Sequence, residues 1–128
     1  MRDIELEIKI QKSLNEGNNV WVVGDVHGFN QTLRSLVAKL EIKTGDYVVL
    51  LGDLIDRGPD SYDVIQFVKN SPNMATVKGN HEKMMAKAFS LFRLEKPDLR
   101  ISTWFYNGGL STATSYINAY TDSSGIEN

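Results

Sequence analysis

Three short apolar runs punctuate this chain at regular intervals: Val20-Trp21-Val22-Val23, Tyr47-Val48-Val49-Leu50-Leu51 and Met74-Ala75-Thr76-Val77. Their length and their β-branched and aromatic content predict buried strands. After each run the period changes. Leu33, Leu36, Val37 and Leu40 recur at i, i+3, i+4 and i+7, as do Met85, Ala88, Phe89 and Phe92, which is the spacing of one helix face. The helix between them is shorter, opening at Pro59, with Val64, Ile65 and Val68 apolar and Pro72 just past its end. Strand and helix in alternation predict an α/β chain, with βαβαβα units building a mainly parallel sheet.

The flanks are less regular. Ile4, Leu6, Ile8 and Ile10 alternate with polar residues, which predicts a further strand, although Ile10 and Leu14 also suit one face of a helix. Glu16-Gly17-Asn18-Asn19 reads as a turn, and Glu95 to Arg100 as a loop broken by Pro97. Asn107-Gly108-Gly109 reads as a second loop before a helix from Leu110 to Tyr120, with Thr121 to Asn128 frayed. Residues 1–128 make one domain, and an apolar fraction of 41% is enough for a core.

Polar chemistry gathers where each apolar run ends. Gly24-Asp25-Val26-His27-Gly28 follows the first, Gly52-Asp53-Leu54-Ile55-Asp56-Arg57-Gly58 the second, and Gly79-Asn80-His81-Glu82 the third. Asp25 to Asp53 is 28 residues and Asp53 to Asn80 is 27, close to one strand-helix-strand unit. All three blocks therefore sit at strand-to-helix turns, the edge of a parallel sheet where ligands bind.

Asp25 and His27 are two residues apart, so in an extended segment their side chains point the same way and can grip one cation. Asp53 can complete that site and bridge to a second ion, which Asn80 can bind through its amide oxygen. His81 is left free to move protons, and Asp56 can orient it. Arg57 presents a rigid fork of donors matched to phosphate oxygens, so Arg57 and Asn80 are the candidates for substrate contact. Together these residues predict in-line attack of a metal-bound hydroxide on phosphorus, with His81 protonating the leaving oxygen.

Taken singly, each block has an ordinary reading: a tight turn, a surface ion pair of Asp56 and Arg57, or a helix cap at Asn80. Glu82 and Lys83 read as first-turn helix charges on a solvated face, and Met84-Met85 as core. The conjunction of three glycine-flanked blocks using both histidines of the chain favours a metal site.

Composition narrows the partners. A net charge of -2 with interspersed signs gives no basic field, which argues against nucleic acid. There is no cysteine, so carboxylate, amide and imidazole are the available ligands. No long apolar run or cleavable signal pattern is present, and the expected setting is the cytoplasm, away from a membrane.

The three blocks strongly resemble the calcineurin-like metallophosphoesterases, whose signature is GDxHG, then GDxxDRG, then GNHE. Within that superfamily the chain is most similar to the phosphoprotein phosphatases of the bacterial and bacteriophage lambda type, where residues like Trp104, Asn107-Gly108-Gly109, Thr114, Ser115 and Tyr116 recur. The resemblance implies a metallophosphatase acting on a phosphoprotein or a small phosphoester. It implies Asp25, His27 and Asp53 on a first metal, Asp53 and Asn80 on a second, Arg57 on phosphate, and His81 as general acid paired with Asp56. Manganese is the ion it points to, with iron and zinc as alternatives. The symmetrical diadenosine tetraphosphate hydrolases share most of the pattern, but typically carry alanine where this chain has Asp56, and GNHD in place of Gly79-Asn80-His81-Glu82. Trp104 and Asn107 are candidates for the substrate cleft, against the ordinary readings of a buried tryptophan and a turn asparagine.

The family supplies two further histidines to its second metal, and this chain has no third histidine. The resemblance therefore implies the first half of the family's helix-flanked β-sandwich, with the second metal site incomplete and one sheet face uncovered. Such a face calls for self-association, another subunit or a covering helix from Leu110 to Tyr120, unless the chain is an excised fragment or the product of a truncated gene. An active enzyme and a non-catalytic metal-binding module are the two readings that follow.

Overall fold

The alternation of apolar runs and helical repeats folds as the pattern predicts. The computed structural model describes residues 2–94 and 99–124. In chain order the elements are helix α1 (Ile4–Asn15), strand β1 (Val20–Val23), helix α2 (Asn30–Lys39), strand β2 (Tyr47–Leu50), helix α3 (Ser61–Lys69), strand β3 (Met74–Thr76) and helix α4 (Asn80–Arg93). Helix α5 (Leu99–Trp104), a π-helical turn (Phe105–Gly109) and helix α6 (Leu110–Ser124) follow.

The sheet is parallel, in the order β1-β2-β3, with Val22 opposite Val49 and Val49 opposite Ala75. Two crossovers stepping the same way put α2 and α3 on one face, as the right-handed preference of such connections requires. There Val48 and Leu50 of β2 pack with Leu33, Val64, Val68 and the loop residues Val26, Leu54 and Ile55 to form the core. Each such side chain contributes about 1.5–3 kcal/mol by leaving water.

The strands are buried on that face alone, and the other sheet face is uncovered. On the opposite face Val22 is 63% exposed, and Leu51 and Val77 are each 53% exposed. Helix α6 does not cover it: α6 packs on α3, where the Tyr62 N–H donates to Ser115 Oγ and the Tyr62 and Tyr116 rings meet edge to face. Leu110, Ile117 and Tyr120 remain exposed.

The N-terminal segment is a helix, not a strand. Asp3 Oδ1 caps it by accepting the Leu6 N–H at 3.0 Å, and Glu5–Lys9 and Lys12–Glu16 pair across single turns. The alternation carries little burial, since Ile4 and Ile8 face solvent and Leu6 and Ile10 are only partly buried. Ser13 Oγ ties the helix to the carbonyl of Gly45, just before β2. Near the C-terminus, the loop expected at Asn107-Gly108-Gly109 is a π-helical turn whose one non-helical residue is Gly108, at φ 105°. Leu99 and Arg100, expected in a loop, are helical, while residues 95–98 lie outside the described residues. Helix α6 runs on to Ser124 through part of the segment expected to fray, and 125–128 lie outside the described residues. In α4 the buried face is His81, Ala88 and Leu91, whereas Phe89 and Phe92 are half exposed. No helix among the described residues is long and apolar enough to cross a membrane.

Candidate metal and phosphate site

The three glycine-flanked blocks leave the carboxyl ends of β1, β2 and β3 and meet over the sheet edge. Backbone hydrogen bonds stitch the first two together: the Val26 and His27 N–H groups donate to the Asp53 carbonyl, and the Gly58 N–H donates to the His27 carbonyl. The second and third meet at Gly52 and Gly79, where a Cβ on Gly52 would lie 2.3 Å from the Gly79 nitrogen. Any side chain there would force the loops apart.

His27, Asp53, Asp56 and Arg57 all have positive φ, at 47°, 50°, 72° and 72°. Such backbone costs on the order of 1–3 kcal/mol per residue and persists only where surrounding contacts impose it. The first block is therefore not extended through His27 as expected, yet its side chains still converge. One ligand atom each from Asp25, His27 and Asp53 lie within 4.8 Å of one another. His27 Nδ1 is 2.9 Å from the Ile55 carbonyl, which fixes its proton there and leaves Nε2 with a lone pair toward the cluster. Two carboxylates and an imidazole, with no sulfur, suit a hard or borderline divalent cation. The triad is a candidate metal site on this geometry.

Asp53 is held on both sides. The His81 N–H donates to Asp53 Oδ1 at 2.9 Å, so this carboxylate caps α4 in place of Gly79, which has no side chain. Glu82 then accepts the N–H groups of Asp53 at 2.9 Å, Leu54 at 2.7 Å and Gly79 at 2.8 Å. Glu82 is thus a strut between two loops and not the solvated helix charge that its position suggested. The capping-box spacing from Gly79 was its only sequence signal. Asn80 is the exposed first residue of α4.

His81 is buried beside the triad, its ring 4.7 Å from that of His27. Its Nδ1 lies 2.8 Å from Asp56 Oδ2, leaving Nε2 on the open side. Asp56 is fully buried and also takes the Trp104 indole N–H and the Thr112 hydroxyl. Trp104 is 2% exposed and supports Asp56 from behind through its indole N–H. Asn107 caps the Thr103 carbonyl through Nδ2 at 2.8 Å. The guanidinium of Arg57 spans the two imidazoles, with Nη1 3.3 Å from His27 Nε2 and Nη2 3.4 Å from His81 Nε2. Asp56 and Arg57 thus face different partners and are not an ion pair. Ser61 and Thr112, five and 56 residues beyond Asp56, bind its N–H at 3.1 and 2.8 Å and carried no sequence signal, because nothing local marks a hydroxyl as a partner for that group.

The family model for calcineurin-like phosphoesterases matches residues 19–126. Serine/threonine-protein phosphatase 2 of Escherichia coli is 46% identical over 72 residues, covering 56% of this chain and 33% of that protein. A symmetrical bis(5'-nucleosyl)-tetraphosphatase of Photorhabdus laumondii is 36% identical over 87 residues, covering 66% of this chain and 32% of that protein. A crystal structure of a candidate diadenosine tetraphosphatase aligns at 30% identity and a TM-score of 0.50, over 66% of this chain and 40% of that one. The chain spans about a third of the length of the curated relatives it matches. With the family model spanning the sheet and all three blocks, the chain belongs to the calcineurin-like phosphoesterase family.

Proposed function

We propose that this chain carries the phosphate-handling centre of a metal-dependent phosphomonoesterase, acting on phosphoserine or phosphothreonine in proteins. The observation that carries the reading is the convergence of the Asp25–His27–Asp53 cluster with Arg57 and the Asp56–His81 pair at one sheet edge. Asp25, His27 and Asp53 would hold a first cation and Asp53 with Asn80 a second, manganese being our choice of ion for oxygen and imidazole donors. When bound, the cations supply Lewis acidity toward water and phosphoryl oxygens. Arg57 would turn its fork of donors from the imidazoles onto two phosphoryl oxygens. His81 would give the proton on Nε2 to the leaving oxygen, while Asp56 keeps the imidazole oriented through Nδ1. A cytoplasmic setting, and self-association over the open sheet face, belong to the same proposal. The exposed Val22, Leu51 and Val77 support the latter.

A second reading, hydrolysis of a dinucleoside tetraphosphate, draws support from the relatives of that name. A third, a metal-binding module without turnover, draws support from the sparse donors for a second ion. Turnover of a phosphoserine peptide, p-nitrophenyl phosphate and diadenosine tetraphosphate with added Mn2+, alongside elemental analysis, separates the three. The expected result is two ions per chain and turnover of the peptide. One ion or none, with no turnover, refutes the enzyme reading. His81→Asn is expected to lower kcat at least about 100-fold with metal content unchanged, in line with loss of a general acid.

A further inference from the structure

We propose that Trp104 and Thr112 are positioning residues for the Asp56–His81 pair, holding the buried carboxylate so that His81 Nε2 faces the leaving oxygen. The inference rests on the phosphoesterase reading above. Asp56 sits on strained backbone, at φ 72°, and is 0% exposed. A buried carboxylate needs hydrogen bonds on both oxygens. Oδ2 takes His81 Nδ1 at 2.8 Å and the Trp104 indole at 3.0 Å, while Oδ1 takes the Thr112 hydroxyl at 2.7 Å and the same indole at 3.2 Å. The donors other than His81 thus come from 48 and 56 residues further along the chain.

The Thr112 hydroxyl is fully used. It has one proton, given to Asp56 Oδ1, and two lone pairs, which face the Asp56 N–H at 2.8 Å and Ser61 Oγ at 3.0 Å. Thr112 therefore fixes both the backbone and the carboxylate of Asp56. The Trp104 ring stacks on Phe105 and lies against Gly109, where a Cβ would come within 2.4 Å of the indole. The ring cannot swing away from Asp56 without moving the start of α6. Next to these bonds, the Arg57 N–H donates to the Gly108 carbonyl at 3.1 Å, so α5, the π-helical turn and α6 together hold two successive residues of the catalytic loop. Packing alone would not require an indole N–H and a hydroxyl to converge on one carboxylate.

Thr112→Val and Thr112→Ser separate the two roles. Valine keeps the shape and removes the hydroxyl, whereas serine keeps the hydroxyl and removes a methyl group. In the Mn2+-loaded full chain, Thr112→Val is expected to lower kcat about 10-fold on an alkyl phosphate such as a phosphoserine peptide, a modest part of what a general acid supplies. On p-nitrophenyl phosphate, whose leaving group needs little protonation, the change is expected to stay below about 2-fold, with KM unchanged for both and Thr112→Ser close to wild type. Equal kcat for Thr112→Val and wild type on the peptide, or equal damage from valine and serine, overturns the proposal. The Trp104 indole N–H resonance decides the geometry independently of turnover. It is expected downfield and slow to exchange, and moved by Asp56→Asn and by Thr112→Val. An indole signal that neither substitution moves overturns the hold on Asp56. A wild-type chain without turnover but with this signature removes the enzyme reading and leaves the hold intact.

Discussion

The Glu82 carboxylate accepts N–H bonds from Asp53, Leu54 and Gly79, and Asp53 in turn receives the His81 N–H, so one acid sets the relation between the metal loop and the start of α4. Glu82→Gln would turn an amide NH2 toward at least one of those backbone donors. Positioning contacts of this kind are worth about 10- to 100-fold in metal affinity. The expected outcome is a drop of about that size in Mn2+ affinity by calorimetry, with the far-ultraviolet dichroism unchanged; wild-type affinity would show that the loop keeps its shape without the strut. Local sequence allowed Glu82 to be placed on the first turn of a helix, but its partners Asp53 and Leu54 are 29 and 28 residues away. Asp25, His27, Asp53, Asp56, Arg57 and His81 were legible because each sits in a short block with glycine nearby. Thr112 and Ser61 were not, because a hydroxyl becomes a site residue only through what folds against it.

Among the elements, β1 and β2 are aligned by a side chain as well as by their ladder. Asp46, just before β2, accepts the N–H groups of Asn19 at 2.8 Å and Lys43 at 2.9 Å. These bonds favour the charged form and hold its carboxyl below the usual aspartate range. A group with a depressed folded pKa stabilises the fold above its unfolded pKa and loses that contribution as pH falls through the folded value. Urea midpoints for wild type and Asp46→Asn should therefore differ most near neutral pH and converge as the pH drops below about 4. A gap that stays constant to low pH would rule this linkage out. Helices α2, α3 and α4 were readable from their repeats, and α3 also from Pro59 and Pro72 at its flanks. Helix α1 was misread because strict alternation of Ile4, Leu6, Ile8 and Ile10 outweighed its capping aspartate and turn-spaced charge pairs, which decide the conformation of a segment that buries little.

At the scale of the molecule, the sheet has one face packed under helices and one left apolar and open at Val22, Leu51 and Val77. If copies of the chain cover that face mutually, the double substitution Val22→Lys with Leu51→Lys should shift the solution mass toward a monomer while Mn2+ binding is retained. A wild-type chain that is monomeric at high micromolar concentration would sink the self-association. The sequence by itself determined the strand-helix order, the parallel sheet and the residues of the three blocks, because hydrophobic period, proline and glycine act over a few neighbours. Only the tertiary structure decided that α6 lies on α3 and not on the open face, that Glu82 braces Asp53, and that Trp104 and Thr112 enclose Asp56. Those outcomes depend on which distant surfaces meet, and a buried carboxylate takes whichever donors the packing brings within reach.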